Sequence, residues 1–174
     1  MMCLSFSYGV TATYVAIYGK ETLNISGGSA LFFMLLSLGL ILSRLVGSRT
    51  LRQGKITQNA SVGILISLCG YLMFALLQNP IGYYCSAFIV GLGNGHMWPA
   101  YQTMFLNLAP HTQRGTANSS ILISWDIGVG LGTLIGGAIA EHCGYQQAFI
   151  ASALVNLIGI IIFFGYAKND FLKN

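Results

Sequence analysis

The chain has 174 residues, of which 55% are hydrophobic and only 7% charged, with a formal net charge of +4 at pH 7. Soluble domains carry roughly 25% charged residues, so this composition excludes a water-covered globule and requires lipid against much of the protein. The basic residues fall in short segments between apolar runs, which is the positive-inside pattern of membrane proteins and argues against a nucleic-acid partner.

Crossing about 30 Å of hydrocarbon takes roughly 20 apolar residues. Six such spans with short loops fill the chain and leave no room for a separate soluble domain. A closed β-barrel is the other way to satisfy every backbone group in a bilayer, but its strands alternate in polarity. Ile158-Gly159-Ile160-Ile161-Ile162-Phe163-Phe164 does not alternate. The expected fold class is therefore an all-α membrane protein of six transmembrane helices.

The first expected span, residues 3–19, is the most polar, with Ser5, Ser7, Tyr8, Thr11, Thr13 and Tyr14. A loop at 20–28 ends in Gly27-Gly28, and the second span follows at 29–46. A basic loop is expected at 47–58, carrying Arg49, Arg52 and Lys55 and preceded by Arg44. The third span is 59–77, and Gln78-Asn79-Pro80 turns the chain into the fourth, 81–108, which contains Pro99. A loop at 109–116 holds His111 and Arg114; the fifth span is 117–140, a short loop covers 141–147, and the sixth span is 148–167.

Arg44, Arg49, Arg52, Lys55, Arg114, Lys168 and Lys173 fall on one side of this topology, with only Lys20 on the other. The crowded side is expected to be cytoplasmic. An even number of spans then puts both termini there, in a bacterial cytoplasmic membrane. The start of the chain has neither a basic region nor a convincing cleavage site and reads as a retained helix. Cys3, Cys69, Cys85 and Cys143 are scattered, without a CxxC pair or a His at metal spacing, and read as free thiols. No nucleophile elbow, HExxH or phosphate loop is present, so neither an enzyme nor a cofactor is expected.

Three stretches resemble the major facilitator superfamily of transporters. The first is Gly47-Ser48-Arg49-Thr50-Leu51-Arg52-Gln53-Gly54-Lys55, which is similar to the second copy of the superfamily's loop motif at Gly47, Arg52, Gly54 and Lys55, with Leu51 where the motif has Asp. The second is Gly91-Leu92-Gly93-Asn94-Gly95-His96-Met97-Trp98-Pro99-Ala100 with the exit sequence Ala109 to Ala117, which resembles the tenth helix. The third is Ser124-Trp125-Asp126-Ile127-Gly128-Val129-Gly130-Leu131-Gly132, then Gly136-Gly137, which resembles the eleventh helix of proton-coupled exporters. The resemblance implies the C-terminal six-helix half-bundle of the major facilitator fold. It also implies proton-coupled efflux of a small-molecule drug or metabolite. The opposite wall would come from an N-terminal six-helix half or from a second copy of the chain. The alternative is a non-transporting scaffold or a truncated remnant. Halves of this superfamily contain two inverted three-helix units, although no short-period repeat is visible here.

Asp126 is the only acid inside an expected span and lies near mid-membrane. Ionisable groups there are functional candidates, and this one is expected either to carry the coupled proton or to make a packing hydrogen bond to Trp125, Asn118 or a neighbouring helix. Gly128, Gly132 and Gly136, like Gly39, Ser43 and Gly47, form stripes that permit close helix approach. They are expected either to slide against the missing half or to pack statically. Pro99 should kink its helix, next to Asn94, His96, Trp98, Tyr101 and Gln102, which are expected either to pack in the core or to contact a ligand, with Asn94, His96, Trp98 and Gln102 as the cavity candidates. Tyr8, Thr11 and Tyr14 share one helix face and are expected either to line the same cavity or to make interhelical hydrogen bonds. For Arg52 and Arg114 the resemblance implies gating; the plainer role, shared with Arg44, is topology and headgroup anchoring.

Overall fold

The computed structural model describes residues 1–25 and 27–173. Six long helices run in order: α1 (Met2–Glu21), α2 (Gly28–Arg52), α3 (Ile56–Leu76), α4 (Pro80–Leu108), α5 (Arg114–Cys143) and α6 (Tyr145–Ile162). A π-helical turn, Phe163–Ala167, leads from α6 into the short α7 (Lys168–Lys173).

The joints follow from local chemistry. Asn79 caps α4 by accepting from the Gly82 amide at 2.6 Å, and Pro80 opens the helix where its missing N–H is harmless. Gly27, Gly54 and Gly144 turn the chain at φ of 73°, 76° and 93°, a backbone region open to glycine. The expected basic loop at 47–58 is mostly helix, because α2 continues to Arg52 and leaves only a three-residue turn before α3. Arg49 and Arg52 sit in the last turn of α2, where cations complement the free carbonyls and long stems let the charges reach the headgroups. The expected loop at 141–147 likewise shrinks to Gly144 between α5 and α6.

Among the described residues, four segments are long and apolar enough to cross a membrane: Ser29–Arg52, Ile56–Leu76, His111–Cys143 and Tyr145–Phe171, with mean hydropathy from 1.5 to 2.4. The two polar helices, α1 and α4, are the inner ones. α1 packs mainly on α5 and α6, and α4 on α2 and α3. Several of their polar side chains find partners inside the protein: Ser7 donates to the Ser152 carbonyl at 2.6 Å and Ser86 to the Tyr83 carbonyl at 2.9 Å. The packing pattern is unchanged when α1–α3 are exchanged with α4–α6.

Outward-facing apolar residues such as Met34, Ile41, Leu45, Ile123, Leu134, Ile158 and Ile161 are exposed. Apolar residues exposed in such number mark contact with lipid or with another apolar protein face. At the end of the bundle away from the α2–α3 turn, Tyr18, Phe32, Phe74, Tyr83 and Phe149 form a buried aromatic knot, with Phe74 and Phe149 rings 4.6 Å apart and Phe32 and Tyr83 rings 5.0 Å apart. It ties α1, α2, α3, α4 and α6 together.

Both glycine stripes are consumed inside the bundle. Gly128 lies on Met2 and Ser5, Gly132 on the Phe6 carbonyl and Gly136 on Val10, so α5 rests directly on α1. Gly39 meets the backbone of Phe88 and Leu92, and Gly47 meets His96 and Asn59, so α2 rests on α4 in the same way. Of the two roles expected for the stripes, these contacts are those of packing within the bundle. The stripe lets two backbones touch, and the backbone it touches belongs to the same bundle.

This packing predicts that Gly132→Val, whose side chain must enter the space of the Phe6 carbonyl, destabilises the bundle by about 1–3 kcal/mol. Gly130→Ala, with nothing within 4 Å of an added Cβ, should change stability by less than about 1 kcal/mol. Unfolding titrations in detergent measure both.

Candidate functional site

The inner helices and their two glycine-packed neighbours enclose a cleft of about 240 Å3. Tyr8 comes from α1, Leu40 and Arg44 from α2, Asn94 and Trp98 from α4, and Trp125 from α5. Trp98 and Trp125 are the chain's two tryptophans. Their rings stand edge to face at 4.9 Å and 80°, and Tyr8 lies 5.5 Å from Trp125. All three rings are half-buried, so each is packed on one side and open on the other.

Asn94 is the polar anchor of the floor and is 7% exposed. Its Oδ1 accepts from the Ser67 hydroxyl at 3.0 Å, and its Nδ2 donates to the Tyr71 hydroxyl at 3.4 Å. Both partners lie on α3, behind the cleft, so a third helix fixes the amide's orientation.

Arg44 is exposed at the cleft's rim, eight residues before the last residue of α2. It also borders a second cleft of about 230 Å3, with Gly47, Ser48, Leu51, Asn59, Gly95 and Pro99. Asn59 reaches across there to donate to the His96 carbonyl at 3.0 Å, one turn before Pro99, through which α4 runs as a helix. No hydrogen bond or ion pair within the described residues engages Arg44.

The outer surfaces of α2 and α5 are each divided in two. On α5, Ser119, Asp126 and Gly130 are exposed at the spacing of one helix face, which continues into Thr133 and Gly137 packed on Thr13 and Tyr14 of α1, while Ile123, Ile127, Leu131 and Leu134 form the adjoining apolar face. On α2, Ser37, Arg44 and Ser48 form the equivalent strip beside Met34, Leu38 and Leu45. Arg44 and Asp126 each lie roughly a third of a turn from their own helix's glycine stripe. Asp126 is exposed, one residue from Trp125, but outside the cleft lining. The alternative packing hydrogen bond is not formed: Asn118 instead accepts from Gln102 at 2.8 Å, and Asp126 has no partner among the described residues.

The sequence candidates separate accordingly. Tyr8, Asn94 and Trp98 line the cleft. Tyr8, Thr11 and Tyr14 do not act as one face, because Thr11 is buried with an unpartnered hydroxyl and Tyr14 donates to the Thr133 carbonyl at 2.8 Å. His96 turns toward α2, with Nδ1 3.0 Å from the Leu92 carbonyl. Gln102 is held against α5 through Asn118. Among the loop-motif residues, Gly47 is buried, Arg52 is exposed in the last turn of α2, Gly54 forms the turn, Lys55 directly precedes α3, and Arg114 is the exposed first residue of α5. Arg44 and Trp125 are cleft residues that the sequence reading did not single out as such. Arg44's signal was a charge inside an apolar run, hidden because the span was expected to end at residue 46.

Comparison with known proteins places the chain in a class of membrane transport proteins. The family model described as Major Facilitator Superfamily matches residues 1–129 and 84–171. The chain belongs to the major facilitator superfamily. It is 30% identical over 98 residues to the multidrug resistance protein MdtG of Erwinia billingiae, covering 56% of this chain and 24% of that protein. It is 26% identical over 163 residues to the uncharacterized MFS-type transporter YttB of Bacillus subtilis, covering 93% of this chain and 40% of that one. A crystal structure of the peptide transporter POT in complex with sulfate shares the fold, with a TM-score of 0.83 at 18% identity over 98% of this chain and 36% of that chain. The chain thus spans well under half the length of these proteins, and it is an integral membrane protein.

The anchoring of Asn94 predicts that Asn94→Leu, which strands the buried Ser67 and Tyr71 hydroxyls, costs about 1–3 kcal/mol of stability. Ser67→Ala in the same background should recover part of that loss in detergent unfolding experiments.

Proposed function

We propose that this half-bundle forms one wall of a secondary active transporter that exports drugs or small metabolites in exchange for protons. The observation that carries the reading is the cleft itself. Three half-buried aromatic rings and a fixed amide open onto the side of the bundle where α2 and α5 carry polar strips. A lipid-facing surface has no use for such strips; a wall facing a second bundle across a wet cavity does. The similarity to a relative named for multidrug resistance supports an exporter of small molecules.

The opposite wall is an N-terminal six-helix half, or a second copy of the chain occupying that place. The cleft's Tyr8, Asn94 and Trp98 contact the substrate. Asp126 carries the coupled proton: it is an acid within a membrane-spanning helix, exposed on the polar strip and free of a partner among the described residues. Intramembrane acids of this kind mark proton relays. The assembly sits in the bacterial cytoplasmic membrane with both ends of the half-bundle on the cytoplasmic side.

In everted vesicles holding the assembled transporter, antibacterial compounds that are substrates are expected to trigger proton release, read with a pH-sensitive dye. Asp126→Asn should abolish that release while leaving substrate binding in place. Full proton release by Asp126→Asn contradicts the coupling role. No release by the unsubstituted transporter, across a broad panel of compounds, contradicts transport and favours a scaffold.

A further inference from the structure

The cleft has a definite charge character. Its lining carries one charged group, Arg44, and no acid. The amide of Asn94 is already committed on both its oxygen and its nitrogen to α3. Neutral donors remain in the Trp98 and Trp125 indole N–H groups and the Tyr8 hydroxyl, but the charged donors of the lining are those of the guanidinium alone, whose planar fork matches a carboxylate, phosphonate or sulfonate with two parallel hydrogen bonds. Beside it stand the open faces and edges of Trp98, Trp125 and Tyr8. Aromatic faces alone attract cations, but a full positive charge at the rim repels them more strongly than a ring quadrupole draws them in. Arginine is also the weaker-hydrated of the two basic side chains, which suits it to recognition in a partly dry site.

We propose that the cleft selects ligands with a flat aromatic body and a single anionic group, the body lying against Trp98, Trp125 and Tyr8 and the anion on Arg44. The proposal rests on reading the cleft as a substrate site and adds the charge of what enters it. An anionic phospholipid headgroup shares the anion chemistry but lacks the flat ring. The aromatic walls favour the soluble ligand.

Because both tryptophans of the chain line the cleft, all of its indole fluorescence reports on occupancy. The chain is reconstituted in phosphatidylcholine liposomes and titrated with two nitroaromatic quenchers of matched size, 4-nitrobenzoate and 4-nitrobenzyltrimethylammonium. Saturable quenching by 4-nitrobenzoate at about tenfold lower concentration than by the cation is the expected result. Arg44→Gln should bring the two midpoints together, and Arg44→Lys should retain a preference for the anion, which separates loss of charge from loss of structure.

Equal or tighter binding of the cation, or an unchanged preference in Arg44→Gln, overturns the proposal while leaving the cleft a binding site. Absence of saturable quenching by either compound overturns the substrate-site reading as well. Adding phosphatidylglycerol should leave the 4-nitrobenzoate midpoint in place; its abolition would assign Arg44 to lipid headgroups and overturn the soluble ligand.

Discussion

Everything in this bundle hangs on two places where helix backbones touch. Gly128, Gly132 and Gly136 bring α5 onto α1, and Gly39, Ser43 and Gly47 bring α2 onto α4. In a bilayer there is little hydrophobic gain in bringing apolar helices together, so close van der Waals packing must supply the cohesion. Once these crossings are made, rotation of α2 and α5 about their own axes is fixed. Their lipid faces, their polar strips, and the positions of Arg44 and Asp126 follow from that single constraint.

The same constraint explains why the least apolar helices are tolerable in a membrane. α1 and α4 lie inside, where their hydroxyls and amides find carbonyls and one another, as with Ser7 on Ser152 and Asn94 on Ser67. Their inner position also makes them the floor of the cleft, and the flanking α2 and α5 contribute its rim. The aromatic knot around Phe74 closes the opposite end of the bundle by packing five helices together. The structure thus has a tightly packed end and, toward the middle, a polar and aromatic opening. That asymmetry fits the proposed role as one wall of a transport cavity.

Composition and apolar runs revealed the helical membrane class, because so low a charge content requires lipid and the runs do not alternate as barrel strands do. The glycine stripes were visible as stripes, but a periodicity identifies a face without saying what lies against it. The nearest backbone turned out to be internal. The segment from Gly47 to Arg52 looked like a loop because arginines usually mark membrane edges, yet arginine is a good helix former with a long apolar stem. That misplacement concealed Arg44 as a residue well inside α2. Tyr8, Thr11 and Tyr14 looked equivalent by spacing alone. Distinguishing them depended on where α5 and α6 lie, which only the tertiary packing fixes. Asp126 stood out as a lone intramembrane acid, but its place on an exposed strip follows from the orientation of Gly128 two residues later.

The central claim is that the strip on α5 carrying Asp126 faces a water-filled cavity and the adjoining apolar strip faces lipid. Substituted-cysteine labelling along α5, in a background where the native cysteines are replaced by alanine, tests it directly. Ser119→Cys and Gly130→Cys are expected to react in membranes with a water-soluble methanethiosulfonate reagent, while Ile127→Cys, Leu131→Cys and Leu134→Cys stay unreactive. Uniform protection of both strips, or labelling confined to the Ile127–Leu134 face, would contradict the account.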